Sequence, residues 1–436
     1  MPEAKADKAE VKAEVKMDSA WSEWQVLERT GPRSLRLAPT LLSGMSFRWW
    51  RRKEGEEEKE TFLGVVEDTI CELKELDAAV CFRSSNPDTD AACALLRKHL
   101  RLDDGVDACE VPTWREALPR FRRAAAAVPG CRVLRILDPL ECLITFIGSA
   151  NNNIKRNMQM VRDLCADFEE NRLGADPNGG EHYSFPSVAQ LLSLSEQRLW
   201  ELGWGYRAPR VFKVARQLEE RGGEPFLRGL PLEEAEARAA LCELCGVGRK
   251  VADCILLFGY AHDSCVPVDC HCLQIAQRHL LRGKDAATGK ALSASLYQKI
   301  VDRFHEVFGK EGAGWAFMTL FVAELSDFRK RLDQPEEEAD ELAAPTMGSV
   351  GSPHFHFPPS PGTRDARAPA GRLSTSGKGQ PATPPPKKAK RRRAVPVAPS
   401  APMVLPVAPE CSTPKATRRS SRRTVARASP YFVGGR

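Results

Sequence analysis

Apolar residues recur at spacings of three and four through the central and C-terminal chain, from about residue 112 to residue 331. The segments with this pattern are LECLITFIGSA, IKRNMQMVRDLCADF, APRVFKVARQLEER, LYQKIVDRFHEVF and GWAFMTLFVAEL. Such spacing places apolar side chains on one face of an α-helix. Ser187 with Gln190, and Ser193 with Glu196, have the spacing of capping boxes at helix starts. The pattern therefore predicts a largely helical region.

Between Trp21 and Glu110 the apolar runs are shorter and favour strands. SLRLAP alternates Leu35 and Leu37 with polar neighbours, GMSFRWW is aromatic, and DAAVCFRSS favours a strand. The acidic stretch KEGEEEKE at 53–60 is predicted to be a hairpin tip. These features predict an antiparallel sheet with helical insertions.

Together the two patterns predict an α+β fold that is mainly α, with an N-terminal antiparallel β-sheet domain packed on a helical domain. Residues 1–18 are rich in Ala, Lys and Glu and are predicted to be disordered. We assign residues 19–130 to the β-rich domain and 131–333 to the helical domain, with a helix-hairpin-helix at about 240–260. Residues 334–436 contain too little apolar material to offset the entropy of ordering, which predicts a disordered basic tail.

Charge is unevenly distributed along the chain. From Thr346 to Arg436 there are 17 lysines and arginines against two acidic residues, whereas the whole chain has a net charge of only +6. The runs KKAKRRR at 387–393 and RRSSRR at 418–423 are typical of nuclear import signals or non-specific DNA contacts, and a solubilising tail would have the same composition. We predict a nuclear protein. Targeting to mitochondria stays open, although residues 1–20 are too acidic for a transit peptide.

Composition excludes several classes of protein. No apolar run approaches the roughly 20 residues that span a bilayer, and the charged N-terminus lacks a secretory signal, so no membrane partner is predicted. The 14 cysteines are predicted to be reduced thiols. The pairs Cys242/Cys245 and Cys270/Cys272 lack a usual zinc spacing, and we interpret them as buried core residues. No metal or other cofactor is predicted.

The most informative stretch is ELCGVGRKVADCILLFGYAHDSCVPVDCHCLQIAQ. Gly246 and Gly248 can adopt positive φ, which allows a tight turn between two helices. Their amides can approach a phosphate, and the helix that begins near Arg249 adds its positive N-terminal dipole. The pattern indicates a helix-hairpin-helix that holds a DNA backbone without reading its sequence. A plain glycine turn between packed helices would have the same residues.

Lys250 and Asp269 follow this hairpin. Lys250 lies in the first turn of an apolar helix, where burial and the helix N-terminus both favour the neutral amine. We therefore predict a lowered pKa and a nucleophilic amine. Asp269, in VPVD, can cap the helix CHCLQIAQRHL while it presents a carboxylate to a pocket. A solvated lysine and an ordinary N-cap are the alternatives when each residue is taken alone.

Taken together, these residues resemble the helix-hairpin-helix and aspartate loop of the DNA glycosylase superfamily. The sequence GVGRKVADC…VPVDCH…IAQR is similar to that of the eukaryotic 8-oxoguanine DNA glycosylases. The resemblance covers most of residues 20–330. One departure is Cys245, which stands where the hairpin of this family usually has a proline. The resemblance implies that Lys250 attacks C1′ of an oxidised purine nucleotide opposite cytosine. It also implies that Asp269 stabilises the developing charge, and that a Schiff base then permits β-elimination.

The resemblance implies a pocket for the extruded base. Gly44, in LLSGMSFRWW, would accept a hydrogen bond from N7–H of the oxidised base, a proton that guanine lacks. Cys254 and Phe321 would sandwich the base. Phe317 stands where the family has a glutamine that contacts the Watson–Crick edge. This departure removes a hydrogen-bond partner from that edge of the base, so ring-opened formamidopyrimidines could be accepted more readily.

The resemblance also implies contacts to the opened duplex. Asn151 and Arg156, in GSANNNIKR, would contact the estranged cytosine. Tyr206, in LGWGYRA, would wedge into the base stack, and Arg207 would be a second contact to the cytosine. His271 would hold a phosphate, although a lone histidine in an apolar helix is otherwise a core residue.

Two other functions are compatible with parts of the pattern. A glycosylase of the same superfamily could act on alkylated bases or mismatched adenine, and a non-catalytic module could retain only the hairpin. Lys250 argues against the alkyl-base class. Only Cys270, Cys272 and Cys411 follow Asp269, so the four-cysteine iron–sulfur cluster of some relatives is not predicted. The expected partner is damaged double-stranded DNA, and the chain is expected to act as a monomer.

Overall fold

Five antiparallel strands form the larger of the two sheets in the part of the chain that the structure describes. The computed structural model describes residues 21–29, 35–54, 59–76, 79–104, 107–287, 289 and 291–333. The strand order is β1-β5-β4-β3-β2. The strands are β1 (Gln25–Arg29), β2 (Trp49–Glu54), β3 (Lys59–Val66), β4 (Thr69–Leu76) and β5 (Ala79–Ser84). The predicted N-terminal antiparallel sheet is confirmed.

One face of this sheet is buried by residues that align across the strands. Phe62 pairs with Leu73, and Leu73 pairs with Phe82, and all three side chains are buried. Helix α2 (Thr89–Leu100) packs against β1, β3 and β5. Strands β2 and β3 pair antiparallel up to Glu54, while residues 55–58 of the predicted hairpin tip lie outside the described residues.

The remaining chain is mainly helical, as predicted. The other helices are α1 (Leu37–Leu41), α3 (Pro112–Ala117), α4 (Pro119–Ala127), α5 (Pro139–Ser149), α6 (Ile154–Ala166), α7 (Val188–Ser193), α8 (Glu196–Glu201), α9 (Ala208–Glu220), α10 (Glu224–Arg228), α11 (Glu234–Cys242), α12 (Arg249–Gly259), α13 (Cys270–His279), α14 (Ala294–Phe308), α15 (Ala313–Ala323) and α16 (Ser326–Leu332). A two-stranded sheet of β6 (Arg172–Ala175) and β7 (Glu181–Tyr183) was not predicted, because strands this short show too few alternating positions.

Two local predictions from the N-terminal and central chain are wrong. Leu37 begins α1 rather than a strand, and Leu37 and Leu41 are both buried at helical spacing. Ser187 forms the predicted capping box with Gln190. Ser193, however, is the last residue of α7, and Ser195 caps α8 instead. Ser193 and Ser195 are both suitable N-cap residues, two positions apart in sequence. Because α7 continues to Ser193, only Ser195 can cap α8.

Helix α5 lies at the centre of the helical part. The Asp138 side chain accepts a hydrogen bond from the Leu140 amide and caps the helix, and nearly every residue of α5 is buried. Helix α12 packs alongside, with the Phe146 and Phe258 rings stacked 5.3 Å apart. This pair of helices supports the site that the sequence singled out.

Helix α4 packs on α15 and α16, and Arg120 forms an ion pair of 2.5 Å with Glu324. Helices before residue 130 therefore pack on the end of the described chain, and the domain boundary at that residue stays a prediction. The disorder predicted for 1–18 and 334–436 lies outside the described residues. Within those described, no helix has the length and apolar character needed to cross a membrane.

Candidate active site

The glycine hairpin joins α11 to α12, within the predicted 240–260 segment. Gly246 has a φ of +86°, as predicted for a tight turn. Gly248 has a φ of −94° and is the N-cap of α12, so the prediction of positive φ there is wrong. A Cβ on Gly248 would have no atom within 4 Å. Because this residue has no side chain, the unpaired amides at the start of α12 are open to an anion.

Arg210 links the hairpin to the predicted DNA wedge. A Cβ on Gly246 would lie 3.2 Å from the Arg210 side chain, so the arginine stem packs closely on the turn. The Arg210 guanidinium carbon lies 5.2 Å from the centre of the Tyr206 ring. Tyr206 itself is 45% exposed. The hairpin and the wedge therefore share one cationic side chain.

Lys250 is the second residue of α12 and is half-buried. Its amine lies 6.0 Å from the centre of the Phe146 ring, and Cys254, one turn further along the helix, is close enough to raise the pKa of Lys250. Cys254 is buried, which raises the pKa of its thiol to about 11. Cys254 is therefore a neutral thiol at pH 7.

The predicted lowering of the Lys250 pKa is wrong. Burial lowers the pKa of Lys250, but the neighbouring Cys254 and Asp269 groups raise it by more, so it lies above the ordinary 10.5. Since Cys254 is neutral at pH 7, the Asp269 carboxylate is the charge that holds the ammonium form. The sequence argument considered desolvation and the helix terminus but omitted the effect of this carboxylate.

Asp269 is the N-cap of α13, as predicted. Its Oδ1 accepts hydrogen bonds of 2.9 Å from the backbone amides of His271 and Cys272. Among the described residues, Oδ2 has no hydrogen-bond donor, so one carboxylate oxygen is fixed by the helix and the other is available. The structure thus places Asp269, 19 positions from Lys250 in sequence, close enough for its charge to raise the pKa of Lys250.

His271 lies beside the aspartate and is half-buried. Its neighbour Cys270 raises the pKa of His271, because the protonated ring can donate a hydrogen bond to the Cys270 sulfur, and the same interaction lowers the pKa of the Cys270 thiol. The His271 ring meets Phe321 edge-on, with centroids 6.1 Å apart. A histidine with a raised pKa suits the predicted phosphate contact.

Phe317 belongs to an aromatic cluster. It is 4% exposed, with its ring 5.7 Å from Phe321 and 6.2 Å from Phe304. Gly44 has a φ of +84°, and its carbonyl has no hydrogen-bond partner among the described residues. Its segment is held near Lys250 indirectly, through Phe47, whose ring lies 5.6 Å from the Phe146 ring.

The four predicted duplex contacts lie together. Tyr206 Oη donates a 2.8 Å hydrogen bond to the Ala150 carbonyl, and Arg207 Nη2 donates a 2.8 Å bond to the Asn151 carbonyl. Arg156 is exposed and donates to the Gly203 carbonyl at 3.2 Å. Arg207, in contrast, is only 1% exposed. Its Nε and Nη2 groups donate to the carbonyls of Ala150 and Asn151.

The cysteine pairs are only partly core residues. Cys272 is buried and Cys245 half-buried, whereas Cys242 and Cys270 are exposed, so their interpretation as core residues is wrong. Both lie at helix ends, where the apolar pattern is interrupted. The cysteines that the structure describes are free thiols, and no three metal-ligating side chains cluster in that part of the chain.

Sequence reasoning missed a buried polar network behind the site. Asp253, on α12, is 1% exposed and is bound by Arg238 and Tyr297. A lone acid in the apolar run VADCILLFG was a signal that a buried partner exists. Its partners lie 15 and 44 residues away, and no local pattern identifies them.

Known proteins share both the sequence and the fold. The family model of the 8-oxoguanine DNA glycosylase N-terminal domain matches residues 29–143. The N-glycosylase/DNA lyase OGG1 of Arabidopsis thaliana is 38% identical over 323 residues, which are 71% of this chain and 83% of the plant protein. This chain belongs to the 8-oxoguanine DNA glycosylase family. The predicted recognition and enzyme class, a bifunctional DNA glycosylase and lyase, are confirmed.

Further members extend the comparison. The N-glycosylase/DNA lyase of Saccharomyces cerevisiae is 32% identical over 322 residues, which are 66% of this chain and 83% of the yeast protein. The crystal structure of the Clostridium acetobutylicum 8-oxoguanine glycosylase/lyase with duplex DNA has a TM-score of 0.56 and 23% identity, and covers 70% of this chain and 98% of that one. At this identity the bacterial glycosylase shares the fold, which confirms the predicted fold class.

Proposed function

We propose that this glycosylase excises oxidised purines, 8-oxoguanine and formamidopyrimidine, opposite cytosine in duplex DNA and then nicks the strand by β-elimination. The observation that carries the proposal is the pair formed by Lys250 and Asp269 beside the glycine hairpin. An amine and a carboxylate at one site suit attack on a sugar carbon with stabilisation of positive charge. The clostridial relative was crystallised with cytosine opposite 8-oxoguanine, which supports the same substrate class here.

The damaged base leaves the stack before it reacts, because C1′ is shielded inside a duplex. The Lys250 ammonium loses a proton to solvent, and the resulting amine nitrogen bonds to C1′ as the glycosidic bond breaks. The secondary ammonium formed in this step then releases a second proton. The electron pair of the glycosidic bond leaves with the base, which takes up a proton. The free Asp269 Oδ2 faces the positive charge that develops on the sugar. The resulting amine adduct opens to a Schiff base, from which β-elimination cleaves the strand.

The backbone and the opposite strand are held by different residues. The Gly246–Gly248 turn and His271 are proposed to bind phosphates, and Tyr206 to enter the stack. Asn151, Arg156 and Arg207 are proposed to contact the orphaned cytosine. Their close packing around the carbonyls of residues 150, 151 and 203 supports one shared role.

Phe317 supports a broader lesion specificity than a polar residue would. Its ring is packed between Phe304 and Phe321 and cannot hydrogen-bond to a base edge. Discrimination would then rest on the free Gly44 carbonyl and on stacking against Phe321 and Cys254. Loss of one hydrogen bond to a base costs about 1–3 kcal/mol when a polar group stays unpaired.

Borohydride trapping tests the chemistry. Wild-type protein with a duplex that contains 8-oxoguanine opposite cytosine should yield a covalent adduct, and Lys250→Gln should yield none. Lys213→Gln, an exposed lysine on α9, is the matched control and should trap like wild type. An undiminished adduct with Lys250→Gln would reject the mechanism.

A lesion panel tests the specificity. Duplexes with 8-oxoguanine, formamidopyrimidine or an alkylated purine opposite each base should be cut fastest for the first two opposite cytosine. Phe317→Gln should raise selectivity for 8-oxoguanine over formamidopyrimidine. Preferred excision of the alkylpurine would favour the alternative specificity, and absence of excision with intact DNA binding would favour a non-catalytic module.

We also propose that the protein is a nuclear monomer. The basic runs at 387–393 and 418–423 support nuclear import. Microscopy of the full chain and of a chain with both runs neutralised tests this, since only the first should concentrate in the nucleus. Sedimentation of the full chain with and without DNA tests the monomer, and a dimer mass would contradict it.

A further inference from the structure

The hydroxyl of Tyr297, on α14, lies between the two halves of the active site. It accepts a hydrogen bond of 3.0 Å from the backbone amide of Val268, the residue before Asp269. It donates a hydrogen bond of 2.5 Å to Oδ2 of Asp253, three residues after Lys250 on α12. Tyr297 is 5% exposed and Asp253 1% exposed, so both bonds are shielded from water.

The bridge is held firmly on the side of α12. Arg238 Nε donates to Asp253 Oδ1 at 2.6 Å, which fixes the carboxylate from α11. The Arg249 guanidinium packs on the face of the Tyr297 ring, with its carbon 4.2 Å from the ring centre, and this contact restrains the ring. Burial and the adjacent Asp253 charge raise the pKa of Tyr297, so its oxygen keeps the proton that it donates.

We propose that the Tyr297 hydroxyl is a positioning residue that sets the separation of the Lys250 amine and the Asp269 carboxylate. The inference rests on the proposed function of that pair. Lys250 and Asp253 share one turn of a rigid helix, and Val268 and Asp269 share one peptide unit. A bond from Tyr297 to both segments therefore fixes the aspartate loop relative to the nucleophile helix, although Tyr297 touches neither catalytic side chain.

The reaction is sensitive to this separation. Displacement of a reacting group by about 1 Å can lower a rate by about 100-fold, whereas a phosphate contact elsewhere is unaffected. Without the hydroxyl, the buried Val268 amide loses its acceptor and the Asp253 carboxylate loses one donor. The loop before α13 is then free to move, so the chemical step should slow while DNA binding stays intact.

The test compares Tyr297→Phe with Tyr260→Phe. Tyr260 also has a partly buried hydroxyl, which donates at 2.7 Å to the Leu227 carbonyl and contacts neither half of the active site. Single-turnover adduct formation on the 8-oxoguanine:cytosine duplex is measured under borohydride. The dissociation constant is measured with a duplex that contains a tetrahydrofuran abasic analogue.

We expect Tyr297→Phe to slow adduct formation by at least about tenfold. Its dissociation constant should stay within about twofold of wild type, and Tyr260→Phe should match wild type in both. An unchanged adduct rate in Tyr297→Phe, or a loss confined to DNA affinity, would overturn the inference. Failure of the proposed function can be told apart from failure of this inference, because in the former case wild type would form no adduct or Lys250→Gln would form one.

Hydrogen exchange keeps the inference testable if Tyr297→Phe does not fold. In wild type, the Val268 amide should exchange at least about 100-fold more slowly than an exposed amide, since it is buried and bonded to Tyr297. Exchange at the rate of an exposed amide would overturn the inference. Asp253→Asn, which keeps the shape of the side chain, should slow adduct formation in the same direction.

Discussion

Arg207 donates a hydrogen bond of 2.8 Å to the carbonyl oxygen of Asn151, a residue held at a φ of +48°. The same guanidinium donates from Nε to the Ala150 carbonyl at 3.0 Å. A buried arginine thus stabilises the left-handed turn between α5 and α6 in the free protein.

Asn151→Gly should show whether the Asn151 side chain contributes to excision, independently of the backbone strain at its positive φ. The unfolding free energy should stay within about 1 kcal/mol of wild type, since relief of the left-handed strain offsets the greater freedom of the unfolded chain. Single-turnover excision should fall, because glycine has no side chain to fill the gap in the duplex. Ala261→Gly, at a φ of +58°, is the control: it should change the unfolding free energy but leave the rate of single-turnover excision as in wild type. Equal excision by Asn151→Gly and wild type would remove this residue from the DNA contacts.

The two hairpin glycines should respond differently to alanine. Gly246→Ala should lower the unfolding free energy by about 1–2 kcal/mol, since φ is +86° and the new Cβ meets Arg210 at 3.2 Å. Gly248→Ala should leave the unfolding free energy unchanged, since Gly248 has a φ of −94° and no atom lies within 4 Å of the position of a new Cβ. Its DNA affinity should fall, because a methyl group stands where a phosphate approaches. Urea unfolding measures the stability of both variants, and titration with the abasic duplex measures their DNA affinity. An unchanged affinity in Gly248→Ala would argue against the phosphate site.

Adduct formation should accelerate with pH from about 6 to 9. Only the neutral amine attacks, and the pKa of Lys250 lies above its ordinary 10.5, so the reactive fraction grows throughout this window. The raised pKa also means that the fold favours the ammonium form. The associated stability is present at neutral pH and is lost as pH rises through the folded pKa. Trapping rates at saturating DNA give the profile, and a plateau beginning near pH 7 would contradict it.

His99 should make the protein sensitive to acid. Its Nε2 accepts a hydrogen bond from Trp49 Nε1 at 3.0 Å, which requires the neutral ring, whereas its Nδ1 can donate to the Arg135 carbonyl at 2.6 Å in either protonation state. Burial lowers the pKa of His99 to about 4 from 6.5. The stability linked to this group is present above pH 6.5 and is lost as pH falls toward 4, by about 3 kcal/mol.

The His99→Gln variant isolates this effect. A glutamine amide can both donate to Arg135 and accept from Trp49, but it does not titrate in this range. Urea unfolding at pH 7 and pH 4.5 should show a smaller loss of stability for the variant than for wild type. Parallel losses would assign the acid sensitivity to other groups.

Local physical rules were enough to predict several parts of this molecule. The start of α12 at Arg249 and the cap of α13 by Asp269 depend on residues within one turn, so the sequence contains the complete signal. The helical periodicity and the positive φ of Gly246 are likewise local. The family resemblance then placed Lys250 and Asp269 in one site.

Properties that depend on distant neighbours could not be predicted in this way. The raised pKa of Lys250 follows from Cys254, one turn along the helix, and also from Asp269, which only the tertiary structure brings near. The burial of Arg207 follows from the path of the chain at Ala150. Tyr297 joins Asp253 to Val268 only because α14 packs behind both. Periodicity and capping report which residues a helix buries and where it starts, whereas hydrogen bonding and electrostatics depend on atoms that approach in space from far along the chain. The sequence alone therefore determined the elements and the reactive residues, and the tertiary structure decided their protonation, strain and mutual positions.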